Sequence, residues 1–354
     1  MTNVLQVVHA IQSWLLGPEV QYVDGPHCGG VIGWFDDHGS PKFIYPEITG
    51  YYLSWLAFWA NLSGQSDEAA HRANLALSWT AKYFSGSTPP KTRIYLLKEE
   101  DRDWRNSGSF SFDLAMLTRG VASVRNLAEE DSRNLVLGQL CEHLIPFCDK
   151  KGTLQAFRPH VSDVSYPLSH WSCIQGPYQA KAAAAILSSN SVSPIPPLVH
   201  QTAHSVYTNW RSHVRKPASD NAHAALYHLE GLALAAANGW DSHAQILIEN
   251  LFMQILGMIE PPERSDVLAQ ALRIGCMLCS MSNGINLALT DRLRRLAEEL
   301  EKFLAADGSI LFSRSPNFRH RNVWSSIFAH QALCFYEVIA SGNNISNHWL
   351  KLLI

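Results

Sequence analysis

Apolar residues recur at the three-to-four-residue spacing of an α-helix along nearly the whole chain, and successive helical segments alternate in kind. The spacing predicts helices over 3–16, 47–63, 66–84, 112–127, 131–147, 178–189, 196–213, 221–237, 241–256, 265–281, 290–305 and 323–340. Segments 66–84, 131–147 and 290–305 carry a charged face, clearest in TDRLRRLAEELEKFLAA. Segments 47–63, 178–189, 221–237, 265–281 and 323–340 carry few charges and many small residues, as in AKAAAAILSS and LEGLALAAANG. A helix polar along one side faces water, and one apolar nearly all round is buried. The alternation therefore describes helical hairpins, with the even helix of each pair inside and the odd one outside. Segments 3–16 and 241–256 fit least well, being nearly uncharged in outer positions.

Six such hairpins closing on themselves make an all-α (α/α)6 toroid of about twelve helices. An open α-solenoid is the alternative, but solenoids repeat a signature at a fixed period, and here the hairpins differ in sequence and loop length. No Ser/Gly linker or charge block divides the chain, so residues 1–354 read as one domain. The long connections, 17–46, 85–111, 148–177 and 306–322, all precede even helices, which puts the elaborate loops at one mouth. VIGWF and PKFIY in the first loop, and Ser309 to Ser313 in the last, read as short strands that give this mouth hairpin-like loops.

Composition excludes several classes. The formal net charge is −3, from 28 Lys+Arg against 31 Asp+Glu, without the basic excess of a nucleic-acid binder. No uncharged apolar run approaches the roughly 18 residues that cross a bilayer, and the first residues do not read as a signal peptide. Seven scattered cysteines suit a reduced, cytoplasmic setting. Cys276-x-x-Cys279 lacks a second ligand pair and sits in an apolar helix, so no metal site is expected. No cofactor fingerprint is present.

Candidate site residues gather where loops meet inner helices. Tyr45, Glu47 and Tyr51 flank the start of 47–63, and Trp104, Arg105 and Asp113 the start of 112–127. The third long loop offers Tyr166, His170, Trp171 and Tyr178. His223, Tyr227 and Glu230 share one face of 221–237, and a polar stripe on such a helix must be satisfied by something. Arg264, Asp266 and Gln270 line up at the start of 265–281, and Arg314, Arg319, His320, Arg321 and Trp324 cluster before and within 323–340. Arginine suits bidentate recognition of carboxylate, sulfate or phosphate, so the mouth is expected to draw in a small anion.

The segments YPEITGYYLSWLA, SFDLAML, LYHLEGLALA, RSDVLAQALRI and NVWSSIFAHQAL resemble the inner helices of the six-hairpin (α/α) toroid superfamily, which includes unsaturated-uronyl hydrolases, N-acylglucosamine 2-epimerases and toroid polysaccharide lyases. The resemblance implies the architecture and the position of the pit, and assigns no catalytic residue. Three expectations follow. The first is a lyase acting on a uronate-type sugar by β-elimination: Arg264, Arg319 or Arg321 would neutralise the acid, and His170, His223, His228, Tyr45 or Tyr227 would move protons. Hydrolysis or hydration would instead use Glu47, Asp113, Glu230 or Asp266. The second expels sulfate or phosphate from a biosynthetic intermediate, with or without ring closure. The third is a non-catalytic interaction protein, for which 3–16 could pack on a partner or a second copy.

Overall fold

The computed structural model describes residues 4–87, 90–97, 103–160, 167, 169–211, 213, 222–259, 263–281 and 287–353. Tyr166 lies outside them. Each expected helix is present, with ends shifted by a few residues. The outer helices are α1 (Val4–Leu15), α3 (Ser66–Tyr83), α5 (Glu130–Leu144), α7 (Pro197–Arg211), α9 (Ala244–Leu256) and α11 (Leu287–Glu301). The inner ones are α2 (Pro46–Ser63), α4 (Ser111–Ser123), α6 (Gln179–Ser189), α8 (Ala222–Ala237), α10 (Ser265–Met281) and α12 (Val323–Ala340). A thirteenth, α13 (Asn347–Lys351), was not expected; five residues are too few to show a period.

The inner helices contact one another in cyclic order, α2 to α4, α6, α8, α10, α12 and back to α2, so the ring closes and the solenoid alternative falls. Burial follows the charge alternation. In α2 every residue from Pro46 to Ala60 is buried. In α3 only the stripe Ala69, Ala73, Ala76, Leu77, Trp79 and Thr80 is. Small residues on the inner helices allow the close approach: a Cβ on Gly120 of α4 would lie 2.2 Å from the carbonyl oxygen of Gly50 in α2, which no side chain tolerates.

The two poorly fitting segments are outer helices all the same. Helix α1 packs against α12 of its own chain. It buries Val7, Val8, Ile11, Trp14 and Leu15, each worth about 1.5–3 kcal/mol relative to exposure. Its outward positions include Gln6, His9 and Ser13, which are polar without being charged. Helix α9 buries Ile248, Leu251, Phe252 and Ile255, and leaves Ile246 and Met253 exposed.

All six inner helices begin at the same mouth, termed the front. Short strands tie the loops there: β1 (Trp34–Phe35) with β6 (Arg321–Asn322), β2 (Phe43–Ile44) with β3 (Ile94–Tyr95), and β4 (Gly108–Phe110) with β5 (Phe157–Pro159), all antiparallel. The two expected strands of the first loop bridge each other at Ile32–Ile44 and Phe35–Pro41. The expected strand 309–313 makes only single bridges, at Ile310, Leu311 and Ser313, to three different partners. No helix among the described residues is long and apolar enough to cross a membrane.

Candidate active site

The front mouth opens into a cleft of about 220 Å³ floored by the first turns of the inner helices. Local sequence explains the positions. Pro46 starts α2 with its fixed φ and sets Glu47 in the first turn. Asp113 and Asp266 occupy the first turns of α4 and α10. The Asn322 side chain accepts from the Ser325 N–H at 2.9 Å, capping α12 and bringing Trp324 to the rim.

Three guanidinium groups reach the cleft. Arg93, from the loop entering β3, lies over the rings of Phe43 (4.5 Å) and Tyr45 (5.4 Å) and pairs with Asp103 at 2.8 Å. Arg105 pairs with the other oxygen of Asp103 at 3.1 Å and lies 4.7 Å over Trp104. Arg264 grips Asp266 through two bonds, 3.0 and 2.6 Å. Against burial, which alone would raise it, Arg264 and its neighbours hold Asp266 down to about 2.

Glu47 and Asp113 face the cleft as a pair. Burial and then the charge of Glu47 push Asp113 well above the usual carboxylate range. Burial also raises Glu47, while hydrogen bonds from Tyr45 and Tyr51 and the charges of Lys181 and Arg93 pull it back. The Tyr45 hydroxyl stands close to both acids. Among the described residues Asp113 Oδ2 is sealed and has no hydrogen-bond partner. That setting favours the protonated form of the carboxyl.

His223 lines the cleft on the far side. Burial, then the positive charge of Arg264, lowers it to about 4, so the imidazole is neutral at pH 7. Its Nδ1 lies 2.7 Å from Gln270 Oε1 and 3.7 Å from Asp266 Oδ2. Tyr227 packs beside it, ring centroids 4.3 Å apart, and its hydroxyl meets that of Tyr51 at 3.2 Å. Burial pushes both tyrosines far up, which makes them poor bases.

The cleft thus brings together Tyr45, Glu47, Asp113, Arg105, His170, Trp171, Tyr178, His223, Tyr227, Arg264 and Trp324. Trp104 stands behind them against His170, Phe110 and Phe157. His170 caps the turn Trp171–Cys173 and is lowered by burial, then by Arg105. Tyr51, Asp266 and Gln270 lie one level deeper. So does Glu230, which is fully buried, bonded to Lys181 at 2.8 Å, to Gln270 at 3.1 Å and to Arg273.

The arginine cluster before α12 is not among the residues lining the cleft. Arg314 lies over Phe303 on the outside, Arg319 is exposed, and Arg321 pairs with Asp307 at 2.9 Å. His320 stacks between Trp34 and Phe312. The pairing of β6 with β1 fixes that orientation. In exchange the cleft holds Arg93, Phe110 and Phe112, and Lys181 lies buried beneath it against the Tyr227 ring, none of which sequence reasoning singled out. Lys181 did leave a signal, as the only charge in QAKAAAAILSS. Arg93 left none, since it enters from a loop. No three His, Cys, Asp or Glu side chains among the described residues converge to hold a metal ion.

No protein-family model matches the chain, and no curated protein matches it in sequence. Solved structures match over nearly its whole length. A D-mannose isomerase superposes with a TM-score of 0.71 at 11% identity, over 96% of this chain and 97% of the other. An unsaturated glucuronyl hydrolase specific for heparin gives 0.65 at 11%, over 96% and 95%. A cellobiose 2-epimerase from Bacillus thermoamylovorans gives 0.66 at 9%, over 94% and 98%. The chain has the (α/α)6 toroid fold of these proteins, and at such identities the likeness extends to the fold alone.

Proposed function

We propose that the chain is an enzyme acting on a small anionic sugar, most simply a lyase that eliminates an oxygen leaving group from a uronate. The observation that carries the reading is the pairing, in one anion-seeking cleft, of an imidazole lowered by burial with a carboxyl raised by burial and by the charge of Glu47. His223 at about 4 is unprotonated at pH 7, and Asp113 is raised well above its ordinary value. Groups whose surroundings push them apart in this way divide the roles of base and acid.

The positive charge at the cleft comes from several sources. Six inner helices present their N-termini to the cleft, each equivalent to roughly half a positive charge. Arg93, Arg105 and Arg264 bring three positive charges against the two carboxylates they pair with, Asp103 and Asp266. Trp171, Tyr178 and Trp324 supply flat walls for a sugar ring. A substrate carboxylate against Arg264 would cancel the charge that depresses His223 and so raise its basicity.

In the elimination, His223 takes the proton on the carbon next to the carboxylate. The electron pair forms the double bond to the neighbouring carbon as its C–O bond breaks. Asp113 gives its proton to the departing oxygen. The imidazolium formed lies 3.7 Å from Asp266, which stays ionised. The leaving group can be an alcohol, a sulfate or a phosphate by the same steps. The Glu47–Asp113 pair favours a second reading, hydrolysis by two carboxylates.

The test uses glucuronate derivatives carrying alkoxy, sulfate or phosphate leaving groups, assayed in deuterated water. Formation of an unsaturated acid, abolished in His223→Asn and Asp113→Asn, is the expected result. A saturated product without deuterium beside the carboxylate would sink elimination in favour of hydrolysis. No turnover and no binding of any uronate would favour the non-catalytic interaction protein.

A further inference from the structure

Two ring nitrogens make a histidine ambiguous until its partners are fixed. Around His223 the partners form a directed chain. Glu230 sits between Lys181 Nζ, 2.8 Å from Oε2, and Arg273 Nη2 on Oε1. Against burial, Lys181 and then Arg273 keep it below its ordinary range, so it is an ionised carboxylate that only accepts hydrogen bonds. Gln270 Nε2 lies 3.1 Å from Glu230 Oε2, and this contact requires the amide NH2 to face Glu230. The amide oxygen then faces His223, where Oε1 is 2.7 Å from Nδ1. An oxygen there can only accept. Asp266 Oδ2, 3.7 Å from the same nitrogen, acts in the same sense. Among the described residues, Arg264, Tyr227 and Trp171 also stand beside the ring: the guanidinium disfavours an imidazolium, the Tyr227 hydroxyl is paired with Tyr51, and Trp171 packs edge-on.

We propose that Gln270, locked by Glu230, is the positioning residue that assigns the nitrogens of His223, keeping the proton on Nδ1 and leaving Nε2, on the opposite edge of the ring, as the proton acceptor. Glu230 is then not a catalytic acid or base. It is the anchor that makes the amide unable to flip, and Lys181 and Arg273 keep that anchor charged. The proposal rests on the reading of His223 as the base, and it can fail separately from that reading.

The experiment is long-range proton–nitrogen NMR of the histidine rings in the whole protein at pH 7, with His223 assigned by its loss in His223→Asn. The expected wild-type spectrum has a protonated Nδ1 and an unprotonated Nε2; a proton on Nε2 would overturn the proposal without any variant. In Gln270→Leu both tautomers are expected, with kcat on the uronate substrate down about 10–100-fold and KM within about twofold. An unchanged tautomer in that variant would also overturn it, since Asp266 would then suffice. A shifted tautomer with kcat unchanged would uphold the relay and remove His223 from the base role.

Discussion

The two mouths of the toroid are built from opposite ends of the same six helices, and the contrast explains what each can do. At the front the helices begin, which turns the positive ends of their dipoles toward the cleft, and the long loops bring in Arg93 and Arg105 while Arg264 precedes α10. At the rear the helices end in carbonyls. A cavity of about 280 Å³ there is also lined by cations, Arg119, Arg125 and Lys351. Arg119 is spent on the carbonyls of Lys351 and Leu353 and on Ser188, and cations beside helix C-termini offset the dipole. The C-terminal segment covers this end: Trp349 packs on Phe58, and Gln331 Nε2 donates to the Leu352 carbonyl at 2.9 Å. Positive residues therefore mean different things at the two ends. Where they add to helix N-termini they invite an anion; where they face C-termini they balance the chain's own charge.

Removing the charge that lies between the mouths should have the largest effect. Glu230→Ala leaves the buried charges of Lys181 and Arg273 without the carboxylate that balances them, and urea unfolding should show a loss of about 3–5 kcal/mol. A loss under 1 kcal/mol would mean that the axis is not held by this ion cluster. At the front, Arg264→Ala should lower kcat/KM for a uronate about 100-fold and leave neutral sugars unaffected. The same variant should move the acidic limb of the pH profile upward, because the charge depressing His223 is gone.

An effect absent at pH 7 and growing only in acid separates the buried interior from both mouths. His330 is fully buried, accepts from Trp55 Nε1 at 3.1 Å, and is lowered by burial to about 3. The unfolded chain protonates this group near pH 6.5, so the wild type should lose stability relative to His330→Gln as pH falls from about 6.5 toward 3. The slope is about 1.4 kcal/mol per pH unit, read from paired denaturation curves. The smallest effect belongs to the rear: Lys351→Ala should change stability by no more than about 0.5 kcal/mol and leave turnover as it was. A tenfold fall in activity would break the division between the two ends.

The helices were legible because charge alternation and period survive in local sequence. The 18 residues of α12 were placed to the residue, and α13 was invisible because it is shorter than two turns. The cleft was legible where its residues sit on helices, as with His223 and Tyr227 one turn apart on α8. It was illegible where long-range pairing turns a loop. Arg319 and Arg321 stand next to the start of an inner helix, yet the register of Phe35 with Arg321 faces them away from the cleft. Arg93 comes from a loop some 170 residues from Arg264, and nothing in its neighbours reveals which rings it will cover.

The pairing of Trp34 with Asn322 joins the first long loop to the last. Closing a span of that length costs about 5 kcal/mol of chain entropy, repaid only when α12 has docked between α10 and α2. Folding of the cleft is therefore a late event, since its walls come from both ends of the chain and no partial ring can contain it. In a refolding experiment the return of ligand binding should trail the return of helical signal and follow the slowest phase. An intermediate lacking α12 would keep most of the helix content and none of the recognition.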